Sequence, residues 1–159
     1  MSVTYPSNND TWLYINTTPA ATATYARIGK GVTGATPSNN PVVSTKHYID
    51  ATNPVSKVTA LSKQFALAME RAAGDTANDY IFGKAGKIGS DLETDIVVVD
   101  HANVAAVTAK PCKKYTVIIV VNNEGAIVGG QEQAMDVAVY CNGDPDDGTF
   151  NETTGAFTT

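Results

Sequence analysis

The chain has 159 residues, of which 43% are hydrophobic and 17% are charged. This length is enough for one domain with its own core, and the composition excludes a chain that is disordered along most of its length. The 17 valines, 9 isoleucines and 20 threonines against 4 leucines favour strands, because β-branched side chains suit a half-buried pleated surface. A helical bundle is thereby excluded.

The net charge of -5 is unevenly distributed. Residues 1–114 hold all 11 basic residues, whereas residues 115–159 hold 7 of the 16 acidic residues and no base. This distribution argues against a protein that grips the phosphates of nucleic acid. We expect neither a membrane span nor a secretion signal, because long apolar runs and N-terminal basic residues are missing. Two cysteines in strand-like segments predict buried, reduced thiols.

Short strand-sized segments open the chain. Residues 11–16 and 25–29 combine aromatic and β-branched residues and predict two strands. Residues 30–56 hold Gly, Pro, Asn and Ser at short intervals and too little apolar surface to fold alone, which predicts a long loop. Loops of this length in compact domains are usually functional or ordered by a partner.

The next segment supports two interpretations. Residues 62–73 have the composition of a helix, yet Phe65, Leu67 and Met69 alternate with smaller or polar residues at the period of a strand. After Gly74, a capping residue and apolar positions at intervals of three and four predict one helix at about residues 76–87.

Strands are predicted again after this helix. Residues 94–100 and 113–121 are apolar on both faces, which is typical of central strands covered on two sides. Residues 131–140 alternate instead, with Glu132 and Asp136 among alanines on one face and larger apolar side chains on the other. Near the C-terminus, a hairpin with a four-residue loop would place Phe150 opposite Phe157.

Residues 142–148, with the sequence NGDPDDG, have the oxygen density of a calcium loop. In the register of such a loop, however, the sixth position holds Asp147 where Gly is needed, and the twelfth holds Thr153 where Glu is needed. Both departures favour an acidic turn between two strands, built on Asp-Pro and Asp-Gly turn chemistry.

No constellation of residues in the sequence indicates catalysis. The two histidines, His47 and His101, belong to no zinc-protease motif, nucleophile elbow or metal-ligand spacing. We therefore expect no enzymatic activity, no cofactor and no bound metal.

Eight short stretches follow one another over nearly the whole chain: YARIGKGVT at 25–33, SNNP at 38–41, YID at 48–50, NDYIF at 78–82, ETDIVVV at 93–99, NGDP at 142–145, GTFN at 148–151 and FT at 157–158. In this order they resemble the major tail protein, or tail tube protein, of siphophages and prophages of Gram-positive bacteria. One departure is the helix-like composition of residues 63–73, where the family has a strand. The resemblance favours a strand there.

The resemblance implies a mainly β fold, a tail-tube β-sandwich or barrel with one flanking helix. Residues 1–159 would form a single domain, with an N-terminal arm at 1–10, an extended assembly loop at 30–56 and an acidic turn and hairpin at 142–159. Copies would form hexameric rings, and the rings would stack into the tail tube, the conduit for DNA ejection into the host.

The partners that the resemblance implies are other copies of the chain and the tape measure, tail terminator and distal tail proteins. Genomic DNA would pass through the lumen without specific binding, and no membrane would be involved. The protein would be made in the host bacterial cytoplasm and would end in the tail of the virion.

Two surfaces would matter for such a tube. An acidic, small-residue lumen wall would repel DNA weakly and let it slide, and we expect Glu132 and Asp136 to line it. The long loop would be ordered against an adjacent subunit or ring. The residues expected to contact that neighbour are Gly31, Pro37, Asn40, Pro41, His47 and Tyr48.

Two other interpretations of the sequence stay open. A monomeric immunoglobulin-like or carbohydrate-binding β-sandwich would use Trp12, Tyr14 and Tyr140 as a sugar platform and the acidic turn for calcium. The tube of a contractile tail or of a tail-like bacteriocin would share the fold and the ring.

Overall fold

The structure, a computed structural model, describes residues 7, 10–102 and 107–159. Most of the predicted N-terminal arm, residues 1–10, therefore lies outside the described residues. In chain order the elements are β1 (Thr11–Asn16), β2 (Tyr25–Ile28), β3 (Val32–Ser38), β4 (Pro41–Lys46), β5 (Val55–Leu61), β6 (Gln64–Glu70), α1 (Thr76–Phe82), a 3-10 helix (Gly89–Leu92), β7 (Glu93–Asp100), β8 (Lys110–Asn123), β9 (Ala134–Asn151) and β10 (Ala156–Thr158).

Eight of the strands form one antiparallel sheet. Its order is β2-β1-β7-β8-β9-β6-β3, and β10 pairs with the C-terminal part of β9. The sheet curls into a half-barrel with one α-helix, which confirms the mainly β class expected from the sequence. β4 and β5 form a separate two-stranded sheet. In the described part of the chain, no helix has the length and apolar character needed to cross a bilayer.

The main core lies on one face of the large sheet. Alternate side chains of β1, β6, β7, β8 and β9 point to this face, and α1 packs there through Ala77 and Ile81. A fully buried aliphatic side chain stabilises a fold by roughly 1.5–3 kcal/mol. The members of this core with no exposed surface are Ile15, Ile81, Val117, Ile119 and Val137.

A smaller core lies on the opposite face, around the C-terminal hairpin. Its buried members are Tyr14, Val97, Val99, Cys112 and Phe150. The rings of Tyr14 and Phe150 lie 4.5 Å apart between centroids. Because this hairpin covers the outer side of β1 and β7, both strands are buried on two faces. Coverage on two sides was predicted for residues 94–100 and 113–121 and is found for the first; residues 113–121 of β8 alternate between buried and more exposed side chains.

The segment with two interpretations is a strand. In β6, Phe65, Leu67 and Met69 are at most 4% exposed, whereas the alanines between them face solvent. Pairing with β3 on one side and β9 on the other supplies the backbone hydrogen bonds and the buried face that override helix propensity.

The predicted helix forms but is shorter than expected. It begins after Asp75, whose side chain accepts a hydrogen bond from the backbone N–H of Asn78 at 3.0 Å. It ends at Phe82, so the predicted extension to residue 87 is wrong. The physical reason is the pair of glycines that follows, since Gly83 caps the helix and Gly86 takes a left-handed conformation with φ 71°.

The predicted long loop over residues 30–56 is also wrong in its local structure. It contains β3, β4 and the first residues of β5, and it forms part of a two-stranded ribbon. The glycines and prolines fit inside this ribbon because edge strands tolerate both residue types. Pro37 lies in β3, on the edge of the large sheet.

The predicted acidic turn over residues 142–148 is not a turn between two strands. β9 runs through this segment, and Asn142 pairs with Thr116 while Asp146 pairs with Lys114. Residues 143–145 therefore form a bulge in a continuous strand. Cross-strand pairing with β8 is the physical reason, because it supplies partners that the isolated sequence does not reveal.

Candidate assembly surfaces

One surface of the large sheet is solvent-exposed and built from small residues. We call it the open face; it is the side of β3, β6 and β9 that points away from the main core, and neighbouring residues of β8 continue it. The exposed alanines are Ala66, Ala68 and Ala134. Opposed residues share a face, so Ala66 lies beside Ala138, and Ala68 beside Asp136.

From β3 through β6 to the first half of β9, the open face carries acidic but no basic side chains. Asp136 lies close to one end of β9, between Ala68 of β6 and Asn123, the last residue of β8. Glu132 is exposed and precedes β9, beside Glu70 in a shallow depression at the end of the sheet. No lysine or arginine occurs in β3, β6 or β9, nor in β8 after Lys114. Such a surface repels a polyanion weakly.

A second surface is the two-stranded ribbon of residues 41–61, which we call the arm. It comprises β4, β5 and the connection between them, and it extends outside the large sheet. Every residue of β5 is exposed. The exposed apolar side chains of the arm, with exposed fractions from 43% to 107%, are Val42, Val43, Tyr48, Ile49, Val55, Val58 and Leu61.

The arm carries apolar side chains that are uncovered in the described structure. Within the sheet, Pro37 pairs with Phe65, a core residue. Residues 39–40 and 62–63 leave the strand conformation, and the pairing resumes in the arm with Pro41 opposite Leu61. Leu61 is 67% exposed. Exposed apolar side chains grouped in this way are typical of a surface that binds another chain.

The residues predicted to contact a neighbour are scattered along this ribbon. Pro37 lies in the sheet, Asn40 and Pro41 lie where the arm leaves it, and His47 and Tyr48 follow β4 at the far end. Gly31 precedes β3, and a Cβ on it would lie 2.4 Å from the carbonyl oxygen of Glu70, so its local role is structural. The arm was not predicted as a pair of strands, although Val55, Val58 and Thr59 of β5 are β-branched residues that favour a strand.

The strand path of the sheet ends at β2 and at β3. Among the described strands, β2 pairs only with β1 and β3 only with β6, so one side of each presents backbone groups that lie outside the ladder of the large sheet. A half-barrel with two such edges can be extended by strands of other chains, whereas a closed barrel cannot.

The acidic bulge does not assemble a cation site. Asp147 pairs with Lys113 at 2.7 Å, and Asp146 pairs with Lys114 at 3.1 Å. These carboxylates thus face lysines of β8 and do not converge on one point. Among residues 7, 10–102 and 107–159, no group of three or more His, Cys, Asp or Glu side chains could hold a metal ion.

The aromatic residues considered for sugar binding do not form a platform. Tyr14 is 8% exposed and packs under Phe150. The ring of Trp12 contacts the guanidinium of Arg27 at 3.6 Å and the ring of His101 at 3.8 Å. Tyr140 is exposed but lies on β9, across β7 and β8 from β1. This arrangement does not favour a carbohydrate-binding module.

The thiols and phenols of the smaller core are held in their neutral forms. Burial raises the pKa of the Cys112 thiol to about 11, with a further contribution from the charge of Asp147. Burial likewise raises the pKa of Tyr25 to about 12. Cys112 and Cys141 are both free. A thiol with a raised pKa is a poor nucleophile, so Cys112 has a packing role.

Comparisons with known proteins give a likeness of fold. The sequence matches no protein-family model and no curated protein. The structure is similar to a chain of the tail of an empty GTA particle, refined helically with C6 symmetry, with a TM-score of 0.57 and 12% identity over 89% of this chain and 98% of that one. A chain of the six-fold symmetrised baseplate of the anti-feeding prophage (AFP) has a TM-score of 0.46 and 11% identity over 96% and 99%. The present chain thus shares its fold with a chain of the GTA tail.

Proposed function

We propose that this chain is the tube-forming subunit of a phage or phage-like tail, a structural virion protein whose copies form stacked hexameric rings. The observation that carries the proposal is the likeness to a chain of a C6-symmetric tail, which extends over nearly the full length of both chains. The open edges of the half-barrel and the uncovered arm support it, because each is a surface that a further copy can complete.

The ring would close through the edges of the sheet. In a head-to-tail ring, the β2 edge of one subunit meets a different surface of the next, and the same contact repeats until the rotation closes. Each joined edge gains backbone hydrogen bonds and removes a site of uncontrolled aggregation. The half-barrels then become parts of one larger barrel around a lumen.

The arm would bridge to a neighbouring subunit or to the next ring. Three of its apolar side chains, Val43, Val58 and Leu61, are each more than half exposed. Burying that surface on another copy provides a hydrophobic contribution of about 25 cal/mol for each Å² removed from water. His47 and Tyr48, at the far end of the arm, are positioned to make the most distant contacts.

The open face would line the lumen. Asp136 would then face the DNA, with Glu132 at the end of the same sheet, and the lack of lysine and arginine there avoids contacts that would hold the phosphates. Genomic DNA would slide past alanine and weakly repelling carboxylates. The tape measure, tail terminator and distal tail proteins are the expected further partners in the virion, and the phage would be a siphophage or prophage of a Gram-positive bacterium.

The test is to view the purified protein by negative-stain electron microscopy and to measure its sedimentation over a range of concentrations. We expect six-fold rings or tubes with a central channel. A protein that stays monomeric at every concentration, in the presence and absence of calcium, would contradict the proposal. A monomer whose sedimentation or stability responds to calcium would instead favour the binding-module interpretation.

A further inference from the structure

The arm and the sheet form one ribbon that is interrupted where the arm leaves the sheet. Each of its two ladders also contains one register shift, between Val32 and Gly34 in the sheet and between Val42 and Val43 in the arm. Ser38 pairs with Gln64 at the end of the β3–β6 ladder, and Pro41 pairs with Leu61 at the start of the β4–β5 ladder. The register is therefore the same on both sides. Between these pairs, residues 39–40 and 62–63 leave the strand conformation. We call these four residues the joint.

Hydrogen bonds brace the joint from both strands. The backbone N–H of Ser62 donates to the carbonyl oxygens of Asn39 at 3.0 Å and Asn40 at 3.4 Å. In return, the side-chain Nδ2 of Asn40 donates to the carbonyl oxygen of Ser62 at 3.2 Å. The hydroxyl of Ser38 donates to Oδ1 of Asn40 at 2.8 Å. One amide side chain thus ties together both strands where the arm begins.

The backbone at this residue is unusual. Asn40 has a φ of 37° and is the one non-glycine residue with a positive φ in the described ranges. Asparagine tolerates this conformation better than most residues because its short polar side chain bonds locally. The choice of asparagine over glycine adds the two side-chain hydrogen bonds that glycine lacks.

The sheet side of the joint is firmly anchored. The carbonyl oxygen of Lys63 accepts a hydrogen bond from the backbone N–H of Cys141 at 2.9 Å, and the Lys63 ammonium lies over the rings of Phe65 and Tyr115. β4 and β5 pair with each other outside the large sheet. The direction of the arm relative to the sheet is therefore decided at residues 39, 40 and 62.

We propose that Asn40 is a positioning residue that fixes the angle between arm and sheet. Its amide donates a hydrogen bond to Ser62 on the opposite strand, so that the arm meets its target on another copy in one orientation. The role in assembly rests on the proposed function, whereas the fixed angle is a property of the single chain. Fixing the arm before binding reduces the conformational entropy lost on association.

Two variants of Asn40 test the role of its side-chain amide apart from its backbone conformation. Asn40→Gly keeps the positive φ and removes the amide; Asn40→Asp keeps an oxygen that can accept from Ser38 and removes the donor to Ser62. Ser62→Ala is the matched control, because Ser62 takes part in these bonds through its backbone N and O. Losing one hydrogen bond of ordinary strength should shift the equilibrium between the fixed orientation of the arm and its other orientations by about fivefold.

The readout is the distribution of distances between two spin labels in the monomer, one at Ser56 on the arm and one at Thr149 on the sheet. Labels enter through a non-natural amino acid, because the chain has two free cysteines. A second pair, at Lys46 and Ala60, lies wholly within the arm. We expect both Asn40 variants to broaden the arm-to-sheet distribution while the within-arm distribution and the melting temperature stay unchanged. Ser62→Ala should match the wild type.

Wild-type distributions in both Asn40 variants would overturn the fixed angle, and so would broadening of the within-arm pair, which would mean that the amide holds the arm together. Assembly is measured separately by sedimentation. We expect the Asn40 variants to form tubes more slowly than Ser62→Ala; equal rates would overturn the assembly role. If the wild type forms no tubes, the proposed function fails, while the distance measurement still decides the angle.

Discussion

At the residue scale, the buried side-chain amide of Asn78 joins three parts of the chain. Asn78 of α1 is 1% exposed. Its Oδ1 accepts from the backbone N–H of Ala72 at 3.1 Å and from Arg71 at 3.0 Å, and its Nδ2 donates to the carbonyl oxygens of Glu70 at 2.9 Å and Lys30 at 3.4 Å. The amide thereby links α1, the end of β6 and the turn before β3.

Asn78→Ala should destabilise the fold by about 2–3 kcal/mol, because the truncation leaves several buried polar groups without a partner. Chemical denaturation of the monomer measures this loss. Asn122→Ala, at an exposed position of β8, is the control and should change the free energy of unfolding by less than about 0.5 kcal/mol. Equal effects of the two variants would show that the Asn78 network does not stabilise the fold.

Two glycines with almost equal φ allow the stability cost of backbone strain to be measured apart from the cost of a steric clash. Gly31 has φ 72° and Gly86 has φ 71°. A Cβ on Gly31 would lie 2.4 Å from the carbonyl oxygen of Glu70, whereas a Cβ on Gly86 would meet nothing within 4 Å. Gly86→Ala should cost about 1 kcal/mol for the left-handed backbone alone. Gly31→Ala should cost clearly more in the same denaturation experiment, and equal costs would contradict the close approach.

The ion pair beside Asn78 makes the stability of the fold depend on pH. Arg71 Nη1 lies 2.5 Å from Asp79 Oδ1, and the hydrogen bond from Arg71 lowers the pKa of this carboxyl below 3.8. A carboxyl with a lowered pKa in the folded state stabilises the fold above its unfolded pKa, and this contribution is lost as the pH falls through the folded value. Asp79→Asn should therefore flatten the decline of the melting temperature below about pH 4. An unchanged decline would contradict the pairing.

At the scale of elements, strands that hold the core were the most predictable. β1, β2 and β7 follow the predicted ranges to within about a residue, because their apolar patterns are set by burial inside one domain. The arm was predicted as a loop because its apolar side chains have no covering partner among the residues that the structure describes. Likewise the bulge in β9 depends on pairing with β8, which is a tertiary contact that a local pattern of turn residues does not encode.

The arm should be separable from the domain. Joining Asn40 to Ser62 through a short Gly-containing turn removes residues 41–61, and the continuous register allows the β3–β6 ladder to close as an ordinary hairpin. We expect this variant to keep the melting temperature of the wild-type monomer within a few degrees and to lose stacking of rings. Circular dichroism and negative-stain microscopy measure the two properties.

Limited proteolysis provides the matching measurement on the wild type. The connection at residues 47–54 is exposed apart from Ala51 and should be nicked in the monomer, but protected once the arm is buried on a neighbour. Equal cleavage of monomer and assembled protein would contradict a role of the arm in assembly, and an arm-less variant that unfolds would contradict its independence from the domain.

At the scale of the whole molecule, folding converts an uneven sequence charge into an asymmetric surface. All acidic residues after residue 115 belong to β9 or to the loops beside it, and part of this charge is paired with lysines of β8 at the bulge. Asp136 lies away from those lysines, on the open face. The sequence predicted which end of the chain is acidic, but the pairing of β6, β8 and β9 decides that Asp136 lies among alanines.

The lumen assignment of the open face predicts a size-dependent accessibility in assembled tubes. Asp136→Cys should react with a small maleimide in both monomer and tube. A maleimide on a polymer whose coil is wider than the channel should react only in the monomer, because it cannot enter the tube. Asp91→Cys, on the exposed 3-10 helix, should react with both reagents in both states. The reaction is read as a mass shift, with the unsubstituted chain as the baseline for Cys112 and Cys141. If residue 136 in the tube reacts with the polymer reagent as readily as residue 91, the open face lies on the outside and the carboxylate of Asp136 never meets DNA.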